Sequence, residues 1–147
     1  MREAIGSSFM LNFIIVFIII FIFMFVGTLS YTKAFKVKNR IVDTIENYDG
    51  NIANGNRLKN EVQSDIDGKL GEIGYRIDQT ATCETDDRFS DGVEVLKSSN
   101  YRYCIYKMTT SKGDYYSVVA YIYFELPIIG TKMEFPVYGE TRVFMDI

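Results

Sequence analysis

Histidine and tryptophan are missing from this 147-residue chain, and it has only two prolines and two cysteines. Without an imidazole there is no Ser-His-Asp hydrolysis, no Cys-His proteolysis, no HExxH metalloprotease site and no His-ligated metal or haem, because each uses that ring as base or ligand. Cys83 and Cys104 stand in no CxxC spacing and, without histidine, cannot complete a four-ligand zinc site. There is no Walker A loop and no dinucleotide fingerprint, and Ser7 and Ser8 lie in no nucleophile motif. Sixteen basic residues against nineteen acidic ones leave a net charge of −3, which argues against nucleic acid as the main partner, since phosphate binding needs a concentrated positive surface. The expectation is a non-enzyme with no cofactor, no metal and no nucleic-acid partner.

The mean hydropathy of +0.01 hides two extremes. Phe13 to Val26 is an unbroken apolar run, and residues 9–31 contain no charge. As a helix those 23 residues span roughly 34 Å, against a hydrocarbon layer of about 30 Å. Isoleucine and phenylalanine are poor helix formers in water, but an unpaired amide in lipid costs several kcal/mol, so environment overrides propensity. A cleaved signal peptide has a shorter apolar stretch and a more basic start. A soluble core helix needs a polar side, which this segment lacks. The expected organisation is a short N-terminal tail (1–8), a transmembrane helix (9–31) and an α+β domain (32–147).

Orientation draws opposing signals. Lys33, Lys36, Lys38 and Arg40 follow the span while only Arg2 and the terminal amine precede it, which by the positive-inside rule puts the domain in the cytoplasm. Cysteine usage points outward. Cys83 and Cys104 are either two buried thiols or a disulfide closing a loop of about 22 residues, worth roughly 3 kcal/mol by chain entropy. The disulfide is the expectation, and with it an extracytoplasmic domain.

Beyond Tyr31 the apolar residues Ala34, Ile41, Val42, Ile45 and Tyr48 recur at helical spacing with charges between them. With no proline before Pro127 and no glycine between Gly27 and Gly50, this predicts one helix from about residue 8 to about 48, ended by Asp49-Gly50. Leu58, Val62, Ile66 and Leu70 predict a second, short helix stopping near residue 70, where Gly68, Gly71 and Gly74 weaken it. Strands are predicted loosely at 75–82, and clearly at 101–110 and 115–126, with Ser111 to Asp114 as a hairpin turn. Tyr116, Val118, Ala120, Ile122, Phe124 and Leu126 share the face expected against the helix. Pro127 to Lys132 reads as a turn, and 133–146 as one or two further strands with Pro136 at an edge or bend and Gly139 at a bulge. The fold class is α+β, a long N-terminal helix packed on a C-terminal antiparallel β-meander.

The acidic loop Glu84 to Gly92 offers oxygen ligands at Asp86, Asp87 and Asp91, but its acids do not alternate as in a calcium-binding EF-hand loop, and it reads as a solvated surface loop. Asn12 is a polar amide near the start of the span, placed either to bond a neighbouring helix or to meet the headgroups. Gly27 begins a small-residue stripe with Ser30 and Ala34 that permits close helix packing.

This layout resembles type IV pilin-like proteins. The segments Val118 to Gly130 and Phe135 to Arg142 are similar to the tight-adherence (TadE/TadG-like) minor pilins, whose final strand pair turns at a Pro and small residues and finishes on a strand containing an Arg. The resemblance implies a membrane-anchored structural subunit of a pilus or related surface assembly, processed at Gly6. Its partners would be the lipid bilayer and copies of itself or other pilin-like subunits, packed through Asn12 and Gly27. The family carries a glutamate early in the helix to pair with a neighbour's amine; here Asn12 stands nearby, and a neutral amide cannot neutralise an ammonium. The competing expectation is a single-span extracytoplasmic binding or sensor module that does not polymerise.

Overall fold

The computed structural model describes residues 2–52, 56–74, 83, 87–98, 103–125 and 132–145. The possible strand at 75–82 and the turn at 127–131 lie outside these.

Helix α1 (Arg2–Asn47) is unbroken and, at 1.5 Å per residue, about 69 Å long. It starts at Arg2, earlier than the apolar periodicity indicated, because periodicity marks where a helix acquires a packing face and not where its backbone bonds begin. From residue 34 onward one stripe is buried in the domain: Ala34, Val37, Ile41, Thr44 and Ile45. Thr44 is tolerated there because its hydroxyl donates to the Arg40 carbonyl at 2.7 Å and accepts from Lys69 Nζ at 3.1 Å. The helix ends as the Asp49-Gly50 signal predicts. Asp49 and Gly50 take left-handed φ values of 50° and 69°, the Gly50 amide bonds Ile45 O, and the Asp49 amide bonds Glu46 O, which together form a Schellman cap.

Helix α2 (Asn56–Ile73) packs beside α1 and runs one turn further than its glycines suggested. Each interior glycine costs about 1 kcal/mol relative to alanine. Fully buried Leu70 and part-buried Ile73 in the core offset that, and termination waits for Gly74 at φ 73°.

Four antiparallel strands follow in the order β1-β2-β3-β4: β1 (Val93–Lys97), β2 (Tyr103–Thr110), β3 (Gly113–Glu125) and β4 (Lys132–Glu140). The α+β meander is thus present. β1 was not expected, and its register shift between Glu94 and Leu96 explains why. The bulge lets consecutive residues Val95 and Leu96 both enter the core, which erases the period-2 pattern.

One sheet face, with Tyr103, Ile105, Tyr116, Val118 and Ala120, packs on α1 and α2 as expected for β3. The side chains of Ile122 and Phe124, and Leu126 as a whole, lie outside what is described. Pro136 lies on β4, an edge strand, where its missing amide costs no ladder bond on the open side. Gly139 is not a bulge; it pairs in regular register with Val118. Its role is close approach, since a Cβ there would lie 2.6 Å from Lys38 Cγ and 3.3 Å from Val42 Cγ2, so α1 rests directly on the β4 backbone. Gly139→Val should therefore destabilise the domain by about 1–3 kcal/mol in chemical denaturation. Adding Lys38→Ala should recover part of that loss, whereas Lys38→Ala alone should cost little.

Candidate functional site

Two regions stand out once the fold is in place: an uncovered helix, and the contacts that hold it to the domain. Phe9 through Phe25 expose nearly every large apolar side chain, with Phe9 at 73% and Phe17 at 64% of full exposure. Residues 8–47 include a stretch long and apolar enough to cross a membrane, and none of that stretch is buried by the rest of the chain. Where the apolar run ends, Thr28 Oγ1 donates to the Met24 carbonyl and Thr32 Oγ1 to the Thr28 carbonyl, both at 2.9 Å. Those hydroxyls are satisfied within the helix and do not require water.

The predicted helix-packing positions both lie on this uncovered segment. Asn12 is exposed in the chain by itself. Gly27 has nothing within 4 Å of where a Cβ would stand, and the same holds for Gly6, the possible processing position. Among the described residues, none of the three is brought against another element.

The domain end of α1 is clasped by the segment that follows β4. Backbone bonds tie Asp114 and Phe144 in both directions, and the Thr141 amide bonds Tyr116 O. The Arg142 amide donates to Glu46 Oε1 at 2.8 Å while its guanidinium meets Asp49 Oδ1 at 3.0 Å, and the Tyr116 hydroxyl donates to the Gly50 carbonyl. Arg142 therefore lies just past the last strand and not within it; it serves as a strap on the helix terminus. The exposed ion pair to Asp49 is worth little by itself, so the backbone bond to Glu46 is the stronger constraint.

The outer sheet face carries a second cluster. Cys83 and Cys104 form a disulfide with Cα atoms 5.9 Å apart. Phe89 stacks on Tyr106 at 4.8 Å between centroids, and the Arg88 guanidinium lies 4.4 Å from the Tyr138 ring centre. The second half of the acidic loop is thus a lid rather than a purely solvated excursion, because a short helical turn at Asp87–Phe89 places buried Phe89 against the sheet. Glu84 to Asp86 lie outside the described residues. Among the described residues no group of three or more Cys, Asp or Glu side chains is placed to hold a metal ion.

Sequence reasoning missed one polar centre. Asp67 on α2 accepts from Tyr103 Oη at 3.0 Å and from Ser98 Oγ at 3.2 Å. Tyr103 and Ser98 are both buried, and the carboxylate accepts a hydrogen bond from each hydroxyl. The partners are 36 and 31 residues away in sequence, and no local pattern announces them. Burial pushes the Asp67 carboxyl above its ordinary range, opposed by these two hydrogen bonds. Asp114 is shifted the other way, chiefly by its hydrogen bond from Lys107 and then by one from Thr109. Burial also pushes the Tyr116 phenol up.

No family model, curated protein or solved structure matches this chain.

Two outcomes follow for stability. The raised Asp67 pKa means the fold binds that proton more tightly than the unfolded chain does. Stability from this group falls as pH rises from about 4 through the folded pKa, and Asp67→Asn should flatten that loss in thermal melts. The lowered Asp114 pKa contributes stability that is present above about 4 and lost as pH falls through the folded pKa, and Asp114→Asn should remove the acid-side loss. Separately, replacing Cys83 and Cys104 by serine should cost about 3 kcal/mol in denaturant unfolding, with α1 retained by circular dichroism.

Proposed function

We propose that this chain is a membrane-anchored, non-catalytic structural subunit of pilin-like architecture, with its disulfide-bonded domain on the extracytoplasmic side. The observation that carries the reading is the division of α1. One uninterrupted helix has an apolar half that is not buried among the described residues and a second half that forms the centre of the domain core. A simple tether needs no rigid connection, and a flexible linker after the span would serve it. Continuity without glycine or proline from Gly27 to Gly50 fixes the domain to its anchor as one lever, as a subunit that packs side by side through its helix requires. The disulfide supports an oxidising location.

In lipid, helices associate by close packing and interhelical hydrogen bonds rather than by the hydrophobic effect, so Asn12 and Gly27 are the positions best suited to a contact between copies or with a related subunit. Single cysteines placed in turn from Phe13 to Met24 of the membrane-embedded chain should form intermolecular disulfides on mild oxidation with a period of three to four positions. Asn12→Leu should weaken that pattern. A membrane-impermeant thiol label should reach Cys83 and Cys104 in intact cells only after reduction. Absence of cross-linking at every position would support a monomeric single-span binding module, and labelling only after lysis would put the domain inside.

A further inference from the structure

Lys33, Lys36 and Arg40 are exposed, recur at i, i+3 and i+7, and so form one strip of α1. The strip lies off the stripe that Ala34, Val37 and Ile41 bury in the core. Among the described residues these three cations enter none of the ion pairs, which join Lys69 to Asp65, Lys107 to Asp114 and Arg142 to Asp49. Lys38 is different: its stem crosses Gly139 and its ammonium lies 4.2 Å from the Phe35 ring centre. With Asn39, Asp43 and Glu72, the three cations line an open groove of about 500 Å³ between α1 and the last turn of α2.

The headgroup layer is roughly 5–8 Å deep on each side of the hydrocarbon. Taking Tyr31 as the end of the span, Lys33 lies about 3 Å and Lys36 about 8 Å beyond it, with Arg40 about 14 Å out. Side chains on a helix tilt toward its N-terminus, which here is the membrane, so Lys33 and Lys36 lie in the headgroup layer and the long Arg40 side chain leans back toward it.

We propose that this groove binds the phosphate of an anionic phospholipid in the leaflet nearest the domain, with Lys33, Lys36 and Arg40 as its ligands. The inference rests on α1 spanning a bilayer, but not on which side the domain faces or on assembly with other subunits. It also gives the basic flank a use that does not set topology. Seating a headgroup against one face of the lever would fix the rotation of the domain about its anchor.

The test uses the full chain reconstituted in nanodiscs of pure phosphatidylcholine and of an equimolar mixture with phosphatidylglycerol, followed by native mass spectrometry of the lipids retained on extraction. Phosphatidylglycerol should be kept over phosphatidylcholine, and Lys33→Gln/Lys36→Gln/Arg40→Gln should lower that retention about tenfold or more. The charge-matched variant Arg57→Gln/Lys97→Gln/Lys112→Gln, altered at exposed positions elsewhere in the domain, should keep it. Equal retention of the two lipids, or an equal loss in both variants, overturns the proposal while leaving the span intact. Failure of the wild-type chain to incorporate into pure phosphatidylcholine overturns the span reading and the proposal with it.

Discussion

A single ladder of backbone hydrogen bonds has to serve two surroundings. Among the described residues nothing buries α1 through residues 9–31, and from Ala34 to Ile45 the same helix is the hydrophobic centre of the domain. In lipid the ladder is compulsory, because no water is available to replace a broken bond. In the domain it is held by packing, because the apolar stripe meets α2 and the sheet. Since no breaker separates the two halves, the orientation of the domain is tied to that of the anchor. The rest of the structure follows from gripping one half of a rod whose other half projects.

The grip is made at three places. Gly139 lets the β4 backbone come up against Lys38 and Val42 near the middle of the domain half. Lys69 reaches from α2 to Thr44. Past β4, the 141–144 segment closes over the helix terminus through Arg142 and Glu46, with Tyr116 anchoring Gly50 from the sheet. Each contact joins positions far apart in sequence, so the helix terminus is fixed only when the sheet has formed. The outer sheet face is organised separately by the disulfide and the Phe89–Tyr106 stack, neither of which touches α1. Stabilising the helix–sheet core and stabilising the outer face are therefore distinct tasks in this domain.

Much of this was legible because it is periodic or compositional. The apolar run of α1, its amphipathic continuation, the Asp49-Gly50 stop and the Tyr116, Val118, Ala120 face of β3 each repeat a local rule several times over. β1 was illegible because a bulge breaks its alternation within five residues. The Gly139 position was misread because a glycine in a strand signals equally a bulge or a close neighbour, and only the path of Lys38 across it decides. The acidic loop gave no sign that Phe89 would turn inward, since one aromatic among polar residues has no period.

Composition and spacing alone determined that this chain lacks histidine chemistry, that it carries one charge-free stretch long enough to cross a bilayer, and that a helix continues from it into a small α+β domain. Those properties depend on residue type and near-neighbour order, which a sequence states outright. Tertiary structure alone decided which two hydroxyls Asp67 satisfies, how Arg142 straps the helix end, and that Lys33, Lys36 and Arg40 share a groove with Glu72. Such pairings join segments tens of residues apart, and their partners are set by how the chain closes on itself rather than by any local preference.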